Sequence, residues 1–134
     1  IKMDIHEAAP IEFSRISELT QRTNKCTNGR RYTVTEIKER INSATVKLYS
    51  VSVSDCFSDL GLVGVIEVEG DALTLFSLSC RALGREVEEK MMEFISDKYQ
   101  IQKIEFKSTS KNVALKTLLE KAFPNACLSN CENT

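Results

Sequence analysis

Residues 79–88 of this 134-residue chain have the composition and spacing of an anion-binding loop. An apolar, β-rich run is followed by a glycine at position 84 and then by a helical pattern. The first amide groups of a helix are unpaired and carry the positive end of its dipole, so they attract phosphate. Arg81 and Arg85 add positive charge at the same place. The spacing therefore predicts a phosphate-binding loop, with a plain solvated loop as the alternative.

Cys80 lies in the same loop and is the candidate catalytic nucleophile. A thiol beside an arginine and near the start of a helix is more reactive than an ordinary cysteine. Such a thiol could carry an acyl group as a thioester. The alternative is a small buried apolar side chain, which is what free cysteines usually are. The other cysteines have no comparable sequence surroundings: Cys26, Cys56, Cys127 and Cys131.

A polar stretch nearer the N-terminus is the candidate site for the acyl group. Gln21 and Asn24 close a helical pattern without an evident packing role. Arg31 belongs to an arginine pair in the following loop, and two guanidinium groups can hold a carboxylate or a phosphate. A solvated pair of arginines is the alternative.

Composition excludes several classes of protein. Lys+Arg 18 against Asp+Glu 19 gives a net charge of -1, and the chain has no Trp. It therefore lacks both the basic excess and the stacking platform typical of nucleic-acid binding. Five scattered cysteines and one histidine do not form a metal-binding pattern, and they indicate reduced thiols. No run approaches the ~18 apolar residues of a membrane span, so we expect a cytoplasmic protein that makes no membrane contact.

The elements that would position these residues follow from hydrophobic periodicity. Thr33 and Glu36 have the spacing of a capping box at the start of a helix. The strand–helix–strand unit over 72–107 predicts a right-handed crossover between parallel neighbours. The sequence thus predicts an α+β domain with a mixed central sheet flanked by helices. The predicted helices start at 11 and cover 34–43, 87–95 and 111–123, and the predicted strands cover 46–53, 62–69, 72–79 and 103–107.

The predicted domain spans residues 11–123, and both ends of the chain lack clear periodicity. Residues 1–10 are expected to be the end of an upstream domain or a linker. Residues 124–134 are expected to be a tail.

Several of these segments resemble a known family. The pattern Arg81-x-x-Gly84-x-Glu86 after a strand resembles the Q/R-x-x-G-x-G/A pyrophosphate loop of the Gcn5-related N-acetyltransferases (GNAT). More specifically, five segments resemble the C-terminal acetyltransferase-like domain of FkbH-like proteins, and the resemblance covers residues 11–123. These segments are RISELTQRTN (15–24), RRYT (30–33), GLVGV (61–65), LSCRALGREVEE (78–89) and STSKN (108–112).

The resemblance implies a fold, a reaction and a set of partners. It implies a GNAT-like domain fused to an upstream haloacid-dehalogenase-like (HAD-like) domain in the same chain. Together they would load a glyceryl unit onto the phosphopantetheine thiol of an acyl carrier protein, a step of polyketide biosynthesis.

The resemblance also implies the binding residues. The amides from Leu83 through Gly84 and Arg85 to Glu86 would hold the phosphate of phosphopantetheine or coenzyme A. The edge of the third strand, including Phe76 and Leu78, would pair with the pantetheine amides. The side chain of Asn112 would contact the pantetheine arm.

Two residues depart from the acetyltransferase pattern. Glu86 replaces the last small residue of the loop, and its negative charge would repel a diphosphate. Leu119 stands where the family often places a tyrosine general acid, so classical N-acetylation would lack its proton donor. Three hypotheses remain open: an acyltransferase-like domain, a non-catalytic domain that recruits the carrier, and a structural domain of a HAD-like enzyme.

Overall fold

The fold is known from a computed structural model, which describes residues 2–54, 59–84 and 86–129. The helices are α1 (Phe13–Arg22), α2 (Val34–Ile41), α3 (Val87–Lys98) and α4 (Val113–Ala122). Short 3-10 turns lie at Pro10–Glu12 and Cys80–Ala82. The strands are β1 (Lys2–Glu7), β2 (Cys26–Thr27), β3 (Val46–Ser54), β4 (Asp59–Glu69), β5 (Ala72–Leu78), β6 (Lys103–Glu105) and β7 (Cys127–Ser129).

One mixed sheet organises the described part of the chain. Its order is β1-β3-β4-β5-β6-β7, and the short β2 pairs with β5 off this path. The pairs β1–β3, β3–β4 and β4–β5 are antiparallel, whereas β5–β6 and β6–β7 are parallel. The predicted α+β class and the predicted parallel pairing across α3 are therefore confirmed.

Two apolar cores form because strand residues alternate between faces of the sheet. Leu75 packs with α1 and α2 on one face, together with Ile16 and Ile37. Phe76 packs with α3 and α4 in the other core, together with Met91. The helices therefore cover both faces, as the amphipathic patterns predicted.

Local sequence signals set the start of α2. The Thr33 hydroxyl oxygen accepts a hydrogen bond from the Glu36 amide at 3.2 Å, and the Glu36 carboxylate accepts one from the Thr33 amide at 2.9 Å. The capping box predicted from the sequence is confirmed.

Both ends of the chain differ from the expectation that they lie outside the domain. Residues Lys2–Glu7 pair along their whole length with β3, and Cys127–Ser129 pair with β6. These segments are short and partly exposed, so their alternation is too weak to identify a strand without the sheet beside it. The domain therefore includes segments on either side of 11–123.

A buried carboxylate anchors the loop between α1 and α2 to the sheet. Glu67 is fully buried in β4 and accepts hydrogen bonds from the Tyr32 hydroxyl at 2.7 Å and the Thr74 hydroxyl at 2.6 Å. The Arg40 guanidinium of α2 donates to the same carboxylate at 3.0 Å. Because a buried charge is tolerated only when it is paired and hydrogen-bonded, this network fixes the position of the loop.

Candidate functional site

The sheet opens between β5 and β6, and the chain itself fills the opening. β5 pairs with β6 only at Ala72 and Leu73. Further along β5, strand β2 takes the place beside it, with Cys26 opposite Leu78 and Thr27 opposite Ser77. We call the space between β5 and β6 the filled groove, and residues 26–29 its plug.

Asn28 joins the plug to the strands on both sides of the groove. Its amide donates to the Phe76 carbonyl at 2.9 Å, and its side-chain oxygen accepts from the Phe76 amide at 3.2 Å. Its side-chain nitrogen donates to the Thr74 carbonyl at 2.9 Å and to the Glu105 carbonyl at 3.0 Å. A fully buried asparagine with this many partners is a structural bridge.

Asn112 and Gly29 close the groove from its far side. The Asn112 side-chain nitrogen donates to the Thr27 carbonyl at 3.0 Å and to the Lys107 carbonyl at 2.9 Å. Its oxygen accepts from the Thr109 amide at 2.8 Å. Gly29 has φ +93°, and a Cβ built there would lie 2.7 Å from the Lys107 Cβ.

These contacts correct the expected route of a pantetheine arm. The edge of β5 at Phe76 and Leu78 is already paired with the chain's own backbone, and both side chains are fully buried. Asn112 is also fully buried, and its side chain holds the plug rather than facing an open groove. The residues present therefore do not fit coenzyme A along this edge.

The predicted phosphate loop also contains an internal anion. The Glu88 carboxylate accepts hydrogen bonds from the backbone amides of Gly84 and Glu88. Burial raises the pKa of the Glu88 carboxyl, repulsion from Glu89 raises it further, and the backbone hydrogen bonds act in the opposite direction. Backbone amides of the predicted phosphate loop, that of Gly84 among them, thus already act on the chain's own Glu88 carboxyl.

The other loop residues have distinct positions. The Leu83 amide donates to the Cys80 carbonyl at 3.3 Å, which completes a 3-10 turn. Gly84 has φ +80° and Glu86 has φ +63°, so the chain passes through the left-handed region on both sides of Arg85. Arg85 itself lies outside the described residues.

A small remnant of the groove lies beneath the plug. It is a cavity of about 160 Å³ that Cys26, Leu83 and Glu88 line together with residues of α4. Burial raises the pKa of the Cys26 thiol to about 12, and the carboxylates of Glu88 and Glu89 contribute. Cys26 is therefore a protonated thiol at neutral pH and is a poor nucleophile.

A larger open cleft lies at the end of β5, beside α1. Its volume is about 560 Å³, and Cys80 and Arg81 line it from the 3-10 turn. Both residues are exposed, and Cys80 is a free cysteine. We call it the Cys80 cleft; its remaining lining residues are Arg15, Glu18, Leu19, Arg22, Thr23, Leu60, Gly61, Leu62 and Ser79.

Helix α1 contributes charged residues to this cleft that sequence reasoning missed. Arg15, Glu18 and Arg22 are spaced by three and four residues, so they lie on one face of the helix. The Arg15 guanidinium donates to the Glu18 carboxylate at 2.7 Å. This spacing was readable from the sequence, but only the packing of α1 beside the 3-10 turn brings the charges near Cys80.

The residues predicted to bind the acyl group bond to one another instead. The Arg31 guanidinium donates to the Thr20 carbonyl at 2.9 Å and to the Asn24 side-chain oxygen at 3.1 Å. The Gln21 side chain donates to the Tyr32 carbonyl at 3.0 Å. Gln21, Asn24 and Arg31 therefore fasten the loop to the end of α1 and do not line the Cys80 cleft.

Two further features concern metals and membranes. Within residues 2–54, 59–84 and 86–129, no group of three or more His, Cys, Asp or Glu side chains could hold a metal ion. No helix among those residues is long and apolar enough to cross a membrane.

Solved structures with the same fold are acetyltransferases and a regulator. The spermidine N-acetyltransferase SpeG (N152L mutant) of Vibrio cholerae is 12% identical with a TM-score of 0.59, covering 90% of this chain and 77% of that one. The protein AAC(6')-Iy, in complex with the bisubstrate analog CoA-S-monomethyl-acetylneamine, is 8% identical with a TM-score of 0.61, covering 100% of this chain and 95% of that one. A transcriptional regulator of Bacillus halodurans C-125 is 13% identical with a TM-score of 0.63, covering 90% and 91%.

These similarities define the class of fold. The domain has the GNAT N-acetyltransferase fold, as the resemblance implied. At identities this low, the similarity shows only the fold, so any activity has to be argued from the site itself. No protein-family model and no curated protein sequence matches this chain.

Proposed function

We propose that this domain carries a small acyl group as a thioester on Cys80 and passes it to the phosphopantetheine thiol of an acyl carrier protein. The main support is the composition of the Cys80 cleft. Of the five segments that resemble FkbH-like domains, three meet there: 15–24, 61–65 and 78–89. An open cleft with an exposed thiol is where such a reaction could take place.

The proposed chemistry is thioester exchange. The Cys80 thiolate attacks the carbonyl carbon of a donor thioester, and the donor carbon–sulfur bond breaks. The donor thiolate leaves and takes up the proton that Cys80 released to solvent. In the second half, the carrier thiolate attacks the same carbonyl carbon, and Cys80 leaves as the thiolate.

The three described cysteines differ in their fitness for this role. Cys26 is buried and its pKa is raised, so it is not a competent nucleophile. Cys127 is exposed, but it belongs to strand β7 and does not line the cleft. Cys80 alone among them is both exposed and inside the cleft.

The finer identity of the reaction rests on the FkbH-like resemblance. We propose a glyceryl-type acyl group, a HAD-like domain upstream in the same chain as its source, and a cytoplasmic carrier protein as the acceptor. The filled groove supports a route for the carrier thiol through the Cys80 cleft rather than along β5.

Intact-mass analysis tests the proposal. The domain is incubated with acetyl-N-acetylcysteamine, a small thioester, and acylated sites are located by peptide mapping; pantetheine is then added to remove the acyl group. We expect Cys80→Ser to lower thioester formation at least ~100-fold, because the nucleophile is lost. The matched control Cys127→Ser should leave it unchanged. Equal acylation of the Cys80→Ser variant would refute the proposal.

A non-catalytic carrier-recruiting domain is the second candidate. The filled groove and the fully buried Leu119 both favour it over an acetyltransferase that uses coenzyme A. Calorimetric titration with coenzyme A and with a phosphopantetheinylated carrier distinguishes the two hypotheses. Carrier binding that Arg81→Ala abolishes, without any acylation of Cys80, would support recruitment. No binding and no acylation would leave a structural domain.

A further inference from the structure

The charges of the Cys80 cleft are unbalanced. Three arginines line it, Arg15, Arg22 and Arg81, against a single carboxylate, Glu18. Arg15 and Glu18 form an ion pair with each other, with side chains 36% and 48% exposed. Arg22 and Arg81 form no ion pair with any residue in the described part of the chain. The cleft therefore carries two uncompensated positive charges.

These two charges come from different elements that meet only in the folded domain. Arg22 is the last residue of α1, and Arg81 lies in the 3-10 turn after β5. Arg81 follows Cys80 directly in the chain, and Arg22 lines the same cleft from helix α1. Guanidinium groups bind carboxylates and phosphates through paired hydrogen bonds, so two of them around one thiol favour an anionic group close to it.

The size of the cleft limits what that anion can belong to. A volume of about 560 Å³ is in the range of sites for small molecules. Leu19, Leu60 and Leu62 provide apolar contacts beside the charges. A short acyl chain that ends in an anion would place its carbonyl at Cys80 and its charge at the arginines.

We infer that the Cys80 cleft selects acyl donors whose acyl group itself carries a negative charge, a carboxylate or a phosphate, recognised by Arg22 and Arg81; a glyceryl-type group meets this condition when it is phosphorylated. This inference rests on the proposed function for its acyl chemistry. The selection of anions at Cys80 stands independently of that chemistry and can be measured without it.

The first test uses two alkylating reagents that differ only in charge. Iodoacetate is anionic and iodoacetamide is neutral, and both alkylate thiolates. At low salt we expect the iodoacetate-to-iodoacetamide rate ratio at Cys80 to exceed the ratio at Cys127 by about tenfold. Cys127 is the internal control because it is exposed and outside the cleft. The difference should shrink in about 0.5 M salt, since the interaction is screened.

Variants of the two arginines assign the effect. In the double variant Arg22→Gln/Arg81→Gln, the iodoacetate-to-iodoacetamide rate ratio at Cys80 should fall to within about twofold of the ratio at Cys127. The double variant Arg22→Lys/Arg81→Lys keeps both positive charges, so most of the difference between the two cysteines should remain. Lys38→Gln, on the exposed face of α2, is the control for loss of a positive charge elsewhere. Equal ratios at both cysteines in the unaltered domain, or a ratio insensitive to the glutamine variants, would overturn the inference.

The second test uses matched thioesters of N-acetylcysteamine. Succinyl and butyryl groups have nearly the same size, and only the former carries a carboxylate; 3-phosphoglyceryl and glyceryl form the corresponding phosphate pair. We expect the charged member to acylate Cys80 about ten times faster, and the glutamine double variant to remove that preference. Whichever pair shows the larger preference identifies the anion.

The outcomes separate this inference from the proposed function. Charge-selective alkylation of Cys80 without any thioester formation would support the anion-binding site and refute the proposed acyl transfer. Thioester formation on Cys80 at equal rates from charged and neutral donors would support acyl transfer and refute the selection of anionic acyl groups.

Discussion

The filled groove and the Cys80 cleft lie at the same end of strand β5, yet they are built in opposite ways. The groove is closed by buried amide side chains and backbone pairing, with Asn28 and Asn112 fully buried. The cleft is open and lined by exposed charged residues beside a free thiol. The comparison teaches that the GNAT fold can be kept while its sheet opening becomes part of the core. The acyl transfer proposed above is therefore assigned to the open cleft beside the sheet.

The closure of the groove has a simple physical cause. Where β5 and β6 diverge, the backbone groups of each strand lose their partners, and unpaired buried groups are costly. A ligand with amide groups could satisfy them. In this chain residues 26–29 do so, because Asn28 bonds to both strands.

The most severe test of the filled groove is the substitution Asn28→Ala. It removes the four hydrogen bonds of the Asn28 side chain, three of which join the plug to backbone groups of β5 and β6. We expect the free energy of unfolding to fall by about 3 kcal/mol in urea titrations.

Asn24→Ala is the matched control, because Asn24 is exposed and, among the described residues, its side chain bonds only to Arg31, from which its oxygen accepts. It should cost less than about 0.5 kcal/mol. If the two substitutions cost the same, the plug is not the structural bridge described above. Alkylation of Cys80 should be unchanged in both variants, since neither residue lines the cleft.

A smaller effect is expected from Gly29→Ala. The added Cβ would lie 2.7 Å from the Lys107 Cβ, and φ +93° is unfavourable for alanine. We expect a loss of about 2 kcal/mol in the same urea titration.

Gly84→Ala separates the cost of a positive φ from the cost of a steric clash at an added Cβ. Gly84 also has a positive φ of +80°, but a Cβ built there meets nothing within 4 Å. It should cost only about 1 kcal/mol, the penalty of the left-handed conformation. An equal loss for both glycines would mean that close packing of the plug against Lys107 contributes nothing.

The smallest effect concerns the pH dependence of Glu88. Because burial raises the pKa of its carboxyl in the folded state, ionisation of Glu88 opposes folding. Its contribution to stability is fully present below the unfolded pKa of about 4.5 and is lost as pH rises through the raised folded value.

Glu88→Gln should therefore become more stable relative to the unaltered domain as pH rises from about 4 to about 7.5. Urea titrations at both pH values measure the change. Glu93→Gln, an exposed position on the same helix, provides the comparison. If the unaltered domain instead gained stability relative to Glu88→Gln as pH rises, the backbone hydrogen bonds to the Glu88 carboxylate would outweigh its burial. The loop would then be a favourable site for an anion.

Most of the fold could be predicted because its signals are local. Helix α2 starts at the capping box of Thr33 and Glu36, and the apolar runs over 62–69 and 72–79, joined by a tight turn, identify the two central strands. The parallel pairing of β5 and β6 follows from the handedness of a strand–helix–strand crossover. The edge strands β1 and β7 could not be predicted in the same way, because short exposed strands have weak alternation.

The candidate site was predictable only in part. The strand–loop–helix pattern singled out Cys80 and Arg81, and both line the open cleft. The family resemblance assigned Asn112 to a ligand, but its side chain instead contacts residues far away in the chain, such as Thr27. Arg15 and Arg22 were not predicted, because the sequence does not reveal which element the charged face of a helix will lie beside.

The sequence by itself determined the order of elements, the two amphipathic helix pairs, the capping of α2 and the position of the Cys80 loop after β5. These features depend on residues within one or two turns of each other, so local periodicity and hydrogen bonding are enough to specify them. Only the tertiary structure decided that residues 26–29 occupy the sheet opening and that α1 brings its arginines beside Cys80. Both depend on contacts between segments far apart in the chain, such as Asn28 with Phe76, 48 residues away, and α1 with the turn after β5. No local pattern encodes such pairings.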